Sequence, residues 1–171
     1  MSDATIDSRH FRNVLGHFPT GVTVVTGLDA TGKPHGITIG SFVSVSLDPP
    51  LVGFLPGRSS RSWPLIAQSG SFCVNILAAG QDELCWRFAK EPADDEDGRF
   101  TGLNWSKAPS GSPILPGVIG WIDCRIDSVS DAGDHVLVVG RVQHMEHADN
   151  VGDAMVFFRG KVAGVAMPPA S

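Results

Sequence analysis

Between Gly36 and Leu51 the chain reads Gly-Ile-Thr-Ile-Gly-Ser-Phe-Val-Ser-Val-Ser-Leu-Asp-Pro-Pro-Leu, a strand-like alternation that carries hydroxyls where an exposed strand ordinarily carries charges. With a period of two, Ile39, Val43, Val45 and Leu47 point one way and Thr38, Ser44 and Ser46 the other. Gly40, beside Ser41, interrupts the pattern, and a glycine inside a strand marks a bulge or a close approach of a ligand to the backbone. Such a face suits a ligand with a polar edge, and equally the solvent side of a barrel strand. A second loaded segment, Arg58-Ser59-Ser60-Arg61-Ser62, stands just before Trp63-Pro64-Leu65-Ile66. Serine hydroxyls, the unpaired N–H groups of a helix start and two arginines make a phosphate cradle, or alternatively a plain N-cap with solvated arginines. The third is His135, which opens a strand after the turn Asp131-Ala132-Gly133-Asp134.

What is missing narrows the chemistry. No G-x-G-x-x-G, G-x-x-x-x-G-K-[ST] or G-x-S-x-G pattern occurs, so neither a Rossmann half, a phosphate-binding loop nor a nucleophile elbow is indicated. His144 and His147, three apart in a strand-like stretch, face opposite sides and do not share a metal. The acidic run Glu91 to Gly98 lacks the ligand spacing of a calcium loop and reads as solvated; no metal site is expected. Cys73, Cys85 and Cys124 form no C-x-x-C pair and read as reduced, mostly buried thiols. A formal charge of -5 excludes a nucleic-acid backbone as main partner. The N-terminus has no signal-peptide core, and no apolar run reaches the roughly 20 residues of a membrane span. No membrane association and a cytoplasmic location are the expectation.

Apolar spacing predicts the elements that must position these groups. A helix over Ser8 to Phe18, capped by Ser8, presents Phe11, Val14, Leu15 and Phe18 on one side. Val22 to Leu28 and Pro34 to Leu47 read as a hairpin, followed by a short strand at Leu51 to Leu55 and a short helix begun by a serine of the 58–62 run. A strand at Ser71 to Leu77 precedes a helix over Gln81 to Lys90 that turns Leu84, Cys85 and Phe88 inward. Beyond a Pro/Gly/Ser connector at Ala108 to Pro116, Val118 to Val129 pairs with His135 to Met145, and Met155 to Arg159 with Val162 to Ala166 around Gly160. Seven or so strands in hairpin order with two or three short helices predict a mainly β fold, an antiparallel barrel whose closure removes exposed edges. Residues 1–171 form one domain on this reading, with 1–9 and 167–171 as flexible tails.

With so few acid-base groups, the chemistry that fits is hydride transfer through a flavin, where the cofactor performs the reaction and the protein supplies position and electrostatics. Beyond these segments, Phe18 to Thr26, Phe72 to Leu77, Arg87-Phe88-Ala89, Gly133-Asp134-His135 and Phe157-Phe158-Arg159-Gly160 complete a set, in order from about residue 10 to 166, that resembles the short-chain flavin reductases of two-component monooxygenases. The resemblance implies an antiparallel Greek-key split β-barrel, a homodimer, FMN or FAD as flavin, NADH or NADPH as reductant, and a flavin-dependent monooxygenase as partner. The absence of a spare arginine cluster for a 2′-phosphate favours NADH.

Residue by residue, the resemblance puts Thr38, Ser41, Phe42, Ser44, Val45 and Ser46 around the isoalloxazine and ribityl chain. It puts Ser59, Ser60 and Ser62 near the phosphate, with Arg58 or Arg61 as charge partner. His135 meets the nicotinamide, and Phe157, Arg159 and Gly160 approach the flavin from the C-terminal hairpin. A flavin- or haem-binding barrel without steady NAD(P)H turnover is the competing expectation.

Overall fold

The computed structural model describes residues 6–92, 98–149 and 152–165. Helix α1 (Ser8–Leu15) starts one residue earlier than a Ser8 cap requires: the cap is Asp7, whose carboxylate accepts from the backbone N–H groups of Arg9 and His10 at 3.3 and 3.0 Å. A carboxylate at this position satisfies two orphan donors and complements the positive helix end. Ser8 and Arg9 therefore belong to the helix, not to a tail, while residues 93–97 of the acidic run and the C-terminal tail lie outside the described residues.

Strands β1 (Thr20–Gly21), β2 (Thr23–Leu28) and β3 (Pro34–Ile39) follow, β2 and β3 pairing as the expected hairpin. Asp29 shapes its turn, accepting from the backbone N–H groups of Thr31 and Lys33 and bonding Nε2 of the buried His35 at 3.0 Å. The predicted single strand from Pro34 to Leu47 is broken: the ladder stops at Ile39 and resumes in β4 (Val43–Leu47) before β5 (Pro50–Phe54). Helix α2 (Ser62–Ala67), β6 (Ser71–Ile76), α3 (Asp82–Ala89), a 3-10 turn at Gly98–Phe100, β7 (Ser106–Lys107) and β8 (Pro113–Ile114) lead to the long hairpin β9 (Gly120–Ala132) and β10 (His135–His147). Gly133, at φ 68°, and Asp134 make its two-residue turn, shorter than the predicted four. β11 (Ala154–Phe158) and β12 (Lys161–Val165) close the chain's described part.

All pairings in the main sheet are antiparallel, in the order β3-β2-β6-β9-β10-β5-β4. This is not simple hairpin order, because β6 returns beside β2 and β5 lies beside β10. β3 and β4 end the sheet on opposite sides, yet only residues 40–42 separate them in sequence. Three residues span about 10 Å at most, so the sheet has to curl until its two edges stand side by side. The result is a split barrel: the edges meet at a seam without a hydrogen-bonded ladder. Ser41 stitches that seam, its Oγ accepting from Leu55 N at 2.9 Å and donating to Leu55 O at 3.3 Å.

Alternation on β2 sends Val25 into one core and Val24 into the other. The first core gathers Ile39, Phe54, Trp63, Ile66, Phe72 and Val138, with Phe54 in edge-to-face contact with both Trp63 and Phe72. The second, under α3, gathers Leu77, Phe88, Phe100, Leu115 and Met155. A smaller sheet, β1-β11-β12, is tied to the main one by Met155 N donating to Leu77 O and Ala79 N to Asp153 O.

Candidate functional site

The seam opens two cavities. One, of about 460 Å3, is lined by Ile37, Thr38, Ile39, Gly40, Ser41, Leu55, Pro56, Gly57 and His135. The other, of about 930 Å3 and mostly apolar, lies beneath α1 and is lined by Phe11, Leu15, Phe18, Pro19, Phe42, Phe157 and Gly160, among others. Gly40 and Ser41 line both. The break between β3 and β4 thus sits where the cavities meet, and residues 40–42 turn backbone groups there that no ladder engages.

Hydroxyl geometry decides what each side chain offers. Thr38 Oγ1 donates to Cys85 O at 2.7 Å, so toward the cavity it can only accept. Ser41 is committed as donor to Leu55 O. Neither hydroxyl is therefore left as a donor toward an occupant.

His135 faces the smaller cavity from β10. Its Nδ1 bonds Asp134 Oδ1 at 2.7 Å, which holds the Asp134 carboxyl below the usual range, and its Nε2 lies 3.9 Å from where a side chain at Gly57 would begin. Gly57 pairs with His135 as an antiparallel bridge, and Val136 N donates to Pro56 O. The pairing of β5 with β10 so continues past both strands and carries the 56–58 loop to the histidine.

The serine run is partly turned inward. Ser60 is buried, its Oγ accepting from Trp63 N at 3.2 Å, so it satisfies a first-turn N–H of α2 from the residue before the Arg61 N-cap position. Ser62, 1% exposed, accepts from Arg99 Nη2 at 2.9 Å. Only Ser59 presents its hydroxyl on an exposed residue of this turn. Arg61 donates from its backbone to Glu91 Oε2 and from Nη1 to Pro92 O. The Arg58 guanidinium is committed to the β9–β10 turn, donating from Nε to Gly133 O at 3.0 Å and pairing with Asp131 at 2.5 Å. Both contacts draw the guanidinium toward that turn and away from the Ser59–Ser62 hydroxyls' expected phosphate.

Ser44, Val45 and Ser46 line neither cavity. A bulge between Ser44 and Ser46 shifts the β4–β5 register, and Val43, Val45 and Leu47 are exposed, Leu47 at 91%. The apolar side chains of this strand therefore lie on an outer edge of the sheet. Arg159, at φ 50°, donates its N–H to Gly16 O and lies in a polar recess with Arg12, Asn13 and His17, beside the large cavity instead of in it.

Sequence reasoning missed Arg99, which donates to Gly36 O at 2.7 Å, to Ser62 Oγ and to Lys90 O, and lies 5.3 Å from the Phe88 ring centre. No periodicity signals such a residue, because its partners are distant carbonyls. Pro56 and Gly57 were also missed, though Leu55-Pro56-Gly57 interrupts a strand in the manner of a site-forming turn.

The profile of the family described as Flavin reductase like domain matches residues 15–166. A flavin reductase of Pseudomonas putida is 49% identical over 163 residues, covering 95% of this chain and 93% of the relative. The crystal structure of nitrilotriacetate monooxygenase component B from Mycobacterium thermoresistibile superposes with a TM-score of 0.87 at 41% identity, covering 96% of this chain and 92% of that one. The NADH:FAD oxidoreductase SgcE6 of Streptomyces globisporus, in complex with NAD and FAD fragments, is 33% identical with a TM-score of 0.85, covering 96% of each chain.

Proposed function

Because this chain belongs to the flavin reductase like domain family, we propose that the seam between β3 and β4 is where its flavin and NADH meet. Its activity is reduction of flavin at the expense of a reduced nicotinamide cofactor, as the reductase component of a two-component monooxygenase. One observation carries the placement: three segments distant in sequence, residues 37–41, residues 55–57 and His135, line the same 460 Å3 cavity, which adjoins a larger apolar one at Gly40 and Ser41.

The residues present fit a flavin. The isoalloxazine has a polar edge and apolar faces; the seam offers backbone groups at residues 40–42 and the accepting Thr38 hydroxyl, flanked by Ile37, Ile39 and Phe42. When bound, the flavin supplies the hydride-accepting chemistry. Ser41 keeps the seam at fixed width, Phe42 and Phe157 exclude water, and His135 orients the nicotinamide. No side chain has to act as a base. The exposed Ser59 hydroxyl and the main chain of the turn that Ser60, Ser62 and Arg61 brace hold the flavin phosphate.

A second copy of the chain covers the apolar surface of Phe11, Val14, Leu15, Phe18, Val43, Val45 and Leu47, all but Phe18 and Leu47 about half exposed. This is the expected homodimer, whose place of work is the cytoplasm. Among the described residues no helix is long and apolar enough to cross a membrane.

The test is purified protein with NADH and free FMN or FAD, followed at 340 nm under air. Sustained absorbance loss that depends on flavin is expected; flavin-independent or absent turnover would sink the reading. His135→Ala should raise KM for NADH by about ten-fold, roughly the worth of one hydrogen bond to a charged or oriented partner, with flavin affinity retained.

A further inference from the structure

Arg58 reaches the β9–β10 turn through three independent contacts. Its backbone N–H donates to Asp134 O at 2.9 Å, its Nε to Gly133 O at 3.0 Å, and its Nη2 pairs with Asp131 Oδ1 at 2.5 Å. The turn it grips is two residues long and includes a glycine at positive φ, and His135 follows immediately. Beyond the β5–β10 ladder, which ends at Phe54 and Val138, the bridge from Gly57 to His135 and the bond from Val136 N to Pro56 O are the nearby main-chain ties. The tip of a long hairpin with few neighbours is free to sway. A guanidinium is suited to stop that, because its planar fork can engage a carbonyl and a carboxylate together.

We propose that Arg58 is a positioning residue: it clamps the Asp131–Asp134 tip so that His135 stays aimed into the seam, and it takes no part in holding phosphate. This rests on the reading that His135 receives the nicotinamide. Its consequence is a division of the Arg58–Ser62 segment. Residue 58 serves the NADH side, and Ser59 onward serves the flavin side, so one short loop fixes the spacing between the two reactants.

The clamp can be cut from either end. Arg58→Gln removes the charge at the loop; Asp131→Asn removes it at the turn, on a side chain 87% exposed and outside both cavities, where loss of folding is not at issue. In each variant KM for NADH should rise about five-fold, the size expected of an exposed ion pair joined to one charge-assisted hydrogen bond. Both kcat and the dissociation constant for FMN should stay within about two-fold, a split that general loosening of the fold would not give. The double variant should be no worse than the worse single one, and Arg58→Lys should recover part of the loss. Weaker binding of FMN than of riboflavin in Arg58→Gln, with Asp131→Asn unaffected, would instead make Arg58 a phosphate ligand and overturn the proposal. An unchanged KM for NADH in both variants would overturn it as well. Wild-type turnover with NADH and FMN separates the cases: its absence brings down the underlying reading too, whereas normal wild-type turnover with unaltered variants removes the clamp alone.

Discussion

Ser41 shows how much one hydroxyl can decide. Both of its bonds go to the backbone of Leu55 across the seam, so Ser41→Ala leaves a partly buried N–H without its acceptor. The expected cost is about 1–3 kcal/mol in denaturant unfolding, together with weaker flavin binding as the seam widens. Asp29 gives a pH signature. Hydrogen bonds from His35 first, then Thr31, hold its carboxyl below the usual range in the folded state. The unfolded state then binds the proton at higher pH than the native one, so the contribution is fully present above about pH 4, the ordinary aspartate value, and fades as pH falls. Asp29→Asn should flatten the acid limb of a stability-versus-pH curve and leave its neutral limb parallel to wild type. Residue identities made Thr38, Ser41 and His135 legible in the sequence, since hydroxyls on a strand and a histidine after a tight turn are unusual. The inward turn of Ser60 and Ser62 was not legible, because it depends on Trp63 N and on Arg99, 37 residues after Ser62.

At the scale of elements, hydrophobic periodicity located every strand longer than two residues but not β1, β7 or β8, and the β9–β10 and β11–β12 hairpins fall where turn residues predict them. It failed at Pro34 to Leu47, where alternation runs through a break. Period 2 reports which way side chains point, not whether a ladder persists; only the meeting of β3 and β4 from opposite ends of the sheet reveals the interruption. It put Phe11, Val14 and Leu15 on one side of α1, and each of them is more than half exposed. An amphipathic pattern signals burial without saying against which chain. For the proposed dimer, Leu15→Glu combined with Leu47→Asp should shift sedimentation toward the monomer, since charges at such positions carry a desolvation penalty only when an interface forms. A dimer that persists in this variant would put the contact elsewhere.

For the molecule as a whole, tight packing between the sheet and its own glycines sets the margin for change. A side chain at Gly140 would enter the van der Waals shell of the Phe72 ring and stand 3.1 Å from Cys124 Cβ, inside the first core. Gly140→Ala should cost about 1–3 kcal/mol by overpacking and lower Tm by roughly 2–10 °C, measurable by calorimetry.

Cys73, Cys85 and Cys124 are all buried, at 0%, 3% and 1% exposure. Burial raises all three thiols, Cys124 up to about 12. Free reduced flavin passes two electrons to dioxygen and returns as oxidised flavin and hydrogen peroxide, so a protein that releases it works beside an oxidant of its own making. Peroxide attacks thiolates, and accessible ones first. Thiols kept neutral and out of contact with water are poor targets for that peroxide when no oxygenase takes the reduced flavin.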